Sequence, residues 1–360
     1  MPEAPITRAE DAPAGAAEPA PVPRWRRPLL VAARLALAVA IVYFVWRAVA
    51  GQLERSRFLE LHFSFGYLAA AWAVLVVYYL LFAGGLMLVI RALGYRPVYR
   101  DVFKLSFAAN LGKYLPGGLW QVAGKVAMAR QAGVDRHAAL VATTVETAVS
   151  VTGGLLLFLT TTLLGAPFPA GVSKWPLAGI MAGIFVALQP QIFARVVALG
   201  MRLLKIEGEP PHLRLGQIAG LVAYYAVVWL VPGSAFWLFT RSLTADPGAN
   251  ALAYAGFYAA AAVGGLLVLF VPAGLGVREG FLVLLMQGLV SGGAGTAWVV
   301  ALAARVWSTL AELALSGVAV ALPFSGRGEG FRGAAPPEAA PADPTHSPGA
   351  PGEGAGGEAP

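Results

Sequence analysis

The sequence predicts an all-α polytopic membrane protein of about six spanning helices and two re-entrant hairpins, eight or so segments in an inverted-topology repeat. Three observations lead there. Apolar residues make up 58% of the chain and charged residues 12%, with mean hydropathy +0.68; a soluble domain carries about twice that share of charge. Several windows of roughly 20 residues, the length that crosses a bilayer, contain almost no charge. Finally, one short helix-breaking pattern occurs in each half of the apolar sequence.

Candidate spans fall at about 28–50, 67–90, 138–164, 176–199, 217–240 and 297–322. The break motifs lie in two further apolar regions, about 102–128 and 251–290. The first reads Leu115-Pro116-Gly117-Gly118-Leu119 with Gly124 following, the second Val271-Pro272-Ala273-Gly274-Leu275 with Gly280. Proline and glycine interrupt helices and free backbone groups that lipid cannot satisfy, so such breaks persist only where protein packs them or a cavity opens. Around the first break the flanking pieces are about a dozen residues, short of a crossing. That suits a hairpin that dips in and returns; the second has longer arms, and two full crossings stay open there.

Charge orients these segments. Lys and Arg concentrate in alternate loops, with Arg91, Arg96, Arg100, Lys104, Arg130, Arg136, Arg202, Lys205 and Arg214 on one side. The opposite loops hold Arg47, Arg55, Arg57, Lys174 and Arg241. The positive-inside rule then places both termini in the cytoplasm. It also sends the two hairpins in from opposite sides, giving a first repeat at about 28–164 and an inverted second at about 176–322. A second match supports the duplication: Glu146-Thr147-Ala148-Val149-Ser150 and Glu312-Leu313-Ala314-Leu315-Ser316 both read Glu-x-Ala-x-Ser, each on the span after its hairpin. Residues 1–23 and 323–360 are rich in Pro, Ala, Gly and Glu and read as disordered cytoplasmic tails around a membrane domain at 24–322. Neither tail is long enough for a catalytic domain.

Composition also excludes functions. The net charge of +7 bears on topology and lipid headgroups, and no soluble basic domain is present to hold nucleic acid. With no cysteine and four scattered histidines, no thiolate chemistry, metal site or cofactor is expected. Ionisable residues at membrane depth are expensive and mark function. Arg305, Ser308, Thr309, Glu312 and Ser316 form one stripe on the last span, and Thr143, Glu146, Thr147, Ser150 and Gly154 repeat its spacing. The hairpins add Lys113, Trp120, Gln121 and Lys125 in the first copy and Arg278-Glu279 in the second. The site expected near the bilayer midplane comprises Lys113, Pro116, Gly117, Gly118, Trp120, Gln121, Glu146, Ser150, Pro272, Gly274, Gly276, Arg278, Glu279, Arg305 and Glu312. Half-helices starting after each break would present free N–H groups to an anion. A plainer reading makes these charges structural pairs, such as Arg305 with Glu312 or Arg278 with Glu146. Lys125 is expected to snorkel to the cytoplasmic interface, and Gly84-Gly85 and Gly153-Gly154 to permit close helix packing.

The run from Asn110 to Gly124, with Gly112-Lys113-Tyr114-Leu115-Pro116-Gly117-Gly118-Leu119-Trp120-Gln121 at its centre, resembles the flippase-like transmembrane region of lysylphosphatidylglycerol synthases and its stand-alone relatives. Pro272-Ala273-Gly274-Leu275-Gly276-Val277-Arg278-Glu279 resembles that family's second signature, with Ala273 where glycine is usual, and Arg305 resembles the arginine of its final helix. The resemblance implies movement of a phospholipid or lipid-linked headgroup, anionic, aminoacylated or polyprenyl-linked, across a bacterial cytoplasmic membrane. It implies a transporter and not an enzyme, since no synthase domain follows the membrane region here. The alternatives are a non-transporting partner of an envelope glycosyltransferase or lipid-modifying enzyme, and a membrane-embedded lipid-phosphate enzyme.

Overall fold

The structure, a computed structural model, describes residues 63–114, 120–132, 134–168, 173–203, 206, 208–268, 274 and 276–325. The expected first span at 28–50, both tails, and Pro116, Gly117, Gly118 and Pro272 lie outside them, as does the side chain of Lys113. Among the described residues there are ten α-helices and no strand. They are α1 (Phe65–Ala92), α2 (Tyr99–Asn110), α3 (Trp120–Ala129), α4 (Arg136–Leu163), α5 (Trp175–Ala187), α6 (Pro190–Leu203), α7 (Leu215–Leu243), α8 (Ala251–Leu267), α9 (Val277–Met286) and α10 (Gly293–Ala321).

Four of these, α1, α4, α7 and α10, are 28 or 29 residues long and apolar enough to cross a membrane. At 1.5 Å per residue each reaches about 42 Å, beyond the roughly 30 Å of hydrocarbon. They start where local chemistry permits. The Asp135 carboxylate accepts from the His137 and Ala138 N–H groups to cap α4. Inside α7, Pro232 is tolerated because neighbouring helices enclose it.

The segment at 176–199 is not the straight span expected from its hydropathy. It forms α5 and α6, bent by 93° at Leu188-Gln189. The cause is legible locally: Pro190 disfavours a helical residue before it and serves instead as the first residue of the next helix. α6 is amphipathic, with Phe193, Val197 and Met201 buried and Arg195 and Arg202 exposed.

α2 and α3 form one antiparallel hairpin, closed at its tip by Gln121 Nε2 donating to Asn110 Oδ1 at 3.2 Å. α8 and α9 form the other, where Gly264 and Gly265 pack against Phe281 and Arg278. Its tip requires glycine twice: Gly276 caps α9 at φ 81°, and Gly274 has φ 63° with the Gly265 backbone where a side chain would go.

Contacts between loops sort the bundle into two ends. At one end the Ser64 N–H donates to the Ser242 carbonyl, Ala166 lies beside Ala249, and Gly248 meets Leu289. At the other, His137 lies against Gly208, while Lys104 and Asp101 hold Leu322 and Ser325. The first hairpin starts and finishes at the second of these ends, the other hairpin at the first. The packing has an internal correspondence. Exchanging α1, α2, α3 and α4 for α7, α8, α9 and α10 carries the contacts onto themselves: α1 packs on α7, α4 on α8, and α10 on α2.

Small residues set the central distances. A Cβ on Gly84 would sit 2.9 Å from the Tyr224 hydroxyl, and one on Gly153 2.8 Å from the Ala226 nitrogen, so both glycine pairs do permit close approach. At Gly233 a Cβ would overlap the Ala255 backbone, whereas Gly317 faces open space. Gly233→Ala is therefore expected to cost about 1–3 kcal/mol. Gly317→Ala should be neutral or slightly stabilising, and thermal unfolding in detergent compares the two.

Candidate functional site

Charged side chains collect where each hairpin's return arm meets the helix that follows it. In the first half Lys125 of α3 and Glu146 of α4 are both buried, 5% and 4% exposed. Lys125 Nζ lies 2.8 Å from Glu146 Oε2. Lys125 thus does not snorkel: its partner is inside, and a charge with a partner at that distance stays there. The second carboxylate oxygen, Oε1, accepts from the Tyr225 hydroxyl of α7 at 3.5 Å. Glu146 lies about 15 Å along α4, well within the bundle. Its cation is Lys125, and not Arg278 as one plain pairing anticipated.

In the second half the signs are reversed between arm and span. Glu279 of α9 is 2% exposed and sits 3.8 Å from Arg305 Nε of α10. Its Oε2 also accepts from the Gly276 N–H at 2.6 Å, so one carboxylate caps the helix that starts at the break and holds the neighbouring span. Arg278 points the other way, its guanidinium 4.5 Å from the centre of the Tyr258 ring of α8. Glu312 accepts from the Tyr79 hydroxyl of α1 at 3.1 Å, and that hydroxyl is also 3.3 Å from the Ser308 carbonyl. Arg278 is in electrostatic reach of Glu279, Glu312, Tyr258 and Tyr79.

Tyrosines join the halves. Tyr78 is in electrostatic reach of Glu146, Arg278 and Glu312 together. Its ring lies 5.7 Å from Phe82, which is 5.7 Å edge-on from Tyr225. Of the expected residues, Glu146 lies on one side, paired with Lys125, which was expected at the interface, and Arg278, Glu279, Arg305 and Glu312 lie on the other. Ser150 is buried, its carbonyl accepting from Trp229 Nε1 at 3.0 Å. Gly274 and Gly276 shape the second tip, Gln121 ties the first, and Trp120 is 54% exposed beside it. Tyr78, Tyr79, Tyr225 and Tyr258 are what sequence reasoning missed. The available signal was a third duplicated pattern, Val76-Val77-Tyr78-Tyr79 and Val222-Ala223-Tyr224-Tyr225, both Val-x-Tyr-Tyr.

A cleft of about 250 Å³ lies elsewhere, between the C-terminal end of α4 and the start of α8, and has no charged lining residue. Among the described residues no group of three His, Asp or Glu side chains stands close enough to hold a metal ion.

Residues 31–316 match the family described as "Lysylphosphatidylglycerol synthase TM region". The chain belongs to that family. No curated protein matches it. Membership of the lysylphosphatidylglycerol synthase transmembrane-region family fits a multi-pass, lipid-associated protein, and the matched span holds both hairpins and every ion pair described above.

Proposed function

We propose that this chain is a flippase-like transporter of the bacterial cytoplasmic membrane. It moves the headgroup of an anionic, aminoacylated or polyprenyl-linked lipid between leaflets and performs no bond chemistry of its own. The observation that carries the reading is the set of charges at depth in an apolar bundle: Lys125, Glu146 and Glu279 are buried, and Arg278, Arg305 and Glu312 half-buried. Simple anchoring needs no such cluster, because each buried charge costs several kcal/mol of desolvation unless paired. A phosphate can exchange for a carboxylate at Arg278 or Lys125, while its tails remain against the apolar outer face of α10, where Val306, Leu310, Leu313, Val318 and Val320 are exposed.

In this reading both hairpins are re-entrant. α2, α3 and α9, at 12, 10 and 10 residues, reach only about 15–18 Å. The exchange symmetry of the contacts and the opposite ends from which the hairpins start support an inverted repeat. Arg91, Arg96, Arg100, Arg136 and Arg214 crowd the end where the first hairpin starts, and the positive-inside rule supports a cytoplasmic assignment for that end and, with it, for both termini. Purified protein in liposomes containing acyl-labelled phosphatidylglycerol should carry the label between leaflets faster than protein-free vesicles. Equal rates would reject the proposal. The absence of cysteine gives a clean background for topology. Ser291→Cys is expected to react with an impermeant thiol reagent from outside the cell, and reaction only after lysis would overturn the orientation.

A further inference from the structure

The two carboxylates that share the Glu-x-Ala-x-Ser motif are each held by a tyrosine from the opposite half. Glu312, on the last helix, accepts from Tyr79 of α1; Glu146, on α4, accepts from Tyr225 of α7. The two tyrosines are the second members of the duplicated Val-x-Tyr-Tyr pattern, on helices that pack against each other at the centre of the bundle. Both are buried, 5% and 0% exposed. Glu146 also contacts a cation of its hairpin return arm, Lys125, at 2.8 Å, and on the other side Arg278 of the second return arm lies within electrostatic reach of Glu312. The tyrosine–carboxylate pairing thus occurs twice, built from matching elements, with the cations at different positions in their hairpins.

We propose that Tyr79 and Tyr225 are matched positioning residues through which each half aims the other half's carboxylate. By satisfying part of the carboxylate's charge, each hydroxyl weakens its hold on the hairpin cation and leaves that cation able to take a phosphate headgroup. The inference rests on the reading of this cluster as a lipid headgroup site. Without the hydroxyl, the carboxylate binds its cation more tightly and the headgroup competes less well. A hydrogen bond to a charged group contributes enough to change an equilibrium by about tenfold.

The test uses binding of acyl-labelled phosphatidylglycerol to the full chain in detergent, with thermal unfolding measured alongside. Tyr79→Phe and Tyr225→Phe, which keep the packed ring, are expected to raise Kd about tenfold with unfolding midpoints close to wild type. Tyr224→Phe serves as the structural control, because its hydroxyl donates to the Leu81 carbonyl at 2.7 Å and should leave Kd unchanged. The decisive pattern is the pairing. Tyr79→Phe should have no further effect on Kd once Glu312→Gln is present, yet keep its full effect with Glu146→Gln. An unchanged Kd in both Phe variants, or an undiminished shift in the Glu312→Gln background, overturns the proposal. Wild-type protein that does not bind phosphatidylglycerol also overturns it. Wild-type protein that binds but shows no leaflet exchange removes the transport reading and leaves this pairing test in force.

Discussion

Replacing Lys125 with methionine is expected to destabilise the protein by about 3–5 kcal/mol, because Glu146 then remains as an uncompensated charge in an apolar interior. The pair is 2.8 Å apart and each side chain is almost fully enclosed, so neither partner can turn to water. The double variant Lys125→Met/Glu146→Gln should recover most of that loss, since a buried pair replaced by neutral groups of similar size is often near neutral in stability. Unfolding by denaturing detergent measures all three proteins. A small loss for Lys125→Met, comparable to a surface substitution, would show that water reaches the pair.

Arg278→Ala and Glu279→Ala should each lower leaflet exchange at least about tenfold while leaving an inserted, folded protein. Arg278 offers a guanidinium fixed over the Tyr258 ring, a planar donor suited to phosphate. Glu279 acts differently. It holds Arg305 and closes the first turn of α9 through the Gly276 N–H, so its loss misplaces the second hairpin and not the headgroup directly. Glu279→Gln, which keeps an acceptor for that N–H, should retain more activity than Glu279→Ala. Equal loss in both would assign the effect to charge alone.

The spans were legible because a bilayer imposes one requirement, a long apolar helix, and α1, α4, α7 and α10 meet it in composition. The breaks were legible for a related reason: proline and glycine interrupt a helix wherever they fall, and α2/α3 and α8/α9 stop there. The bend between α5 and α6 was written at Leu188-Gln189-Pro190, but hydropathy averaged over a window hides a local break.

The chemistry was half legible. Each acid and base of the site stands out in the sequence as a charge in apolar surroundings, so its cost alone marks it. Which charge meets which is another matter. Glu146 is bound by Lys125 and not by Arg278, and Lys125 lies inside and not at the interface. Those outcomes depend on the depth and rotation of α3 against α4, which no local pattern encodes. Tyr79 and Tyr225 are further still from sequence reading, since each acts on a residue in the other half of the chain. The sequence by itself determined the membrane class, the two breaks, the duplicated acidic helix and the family. The tertiary structure alone decided the pairing of charges and the crossing of tyrosines between halves. The physical reason is one of range: hydrophobic length and helix breaking act along a few turns of one chain segment, whereas ion pairs form only between the segments that packing brings together.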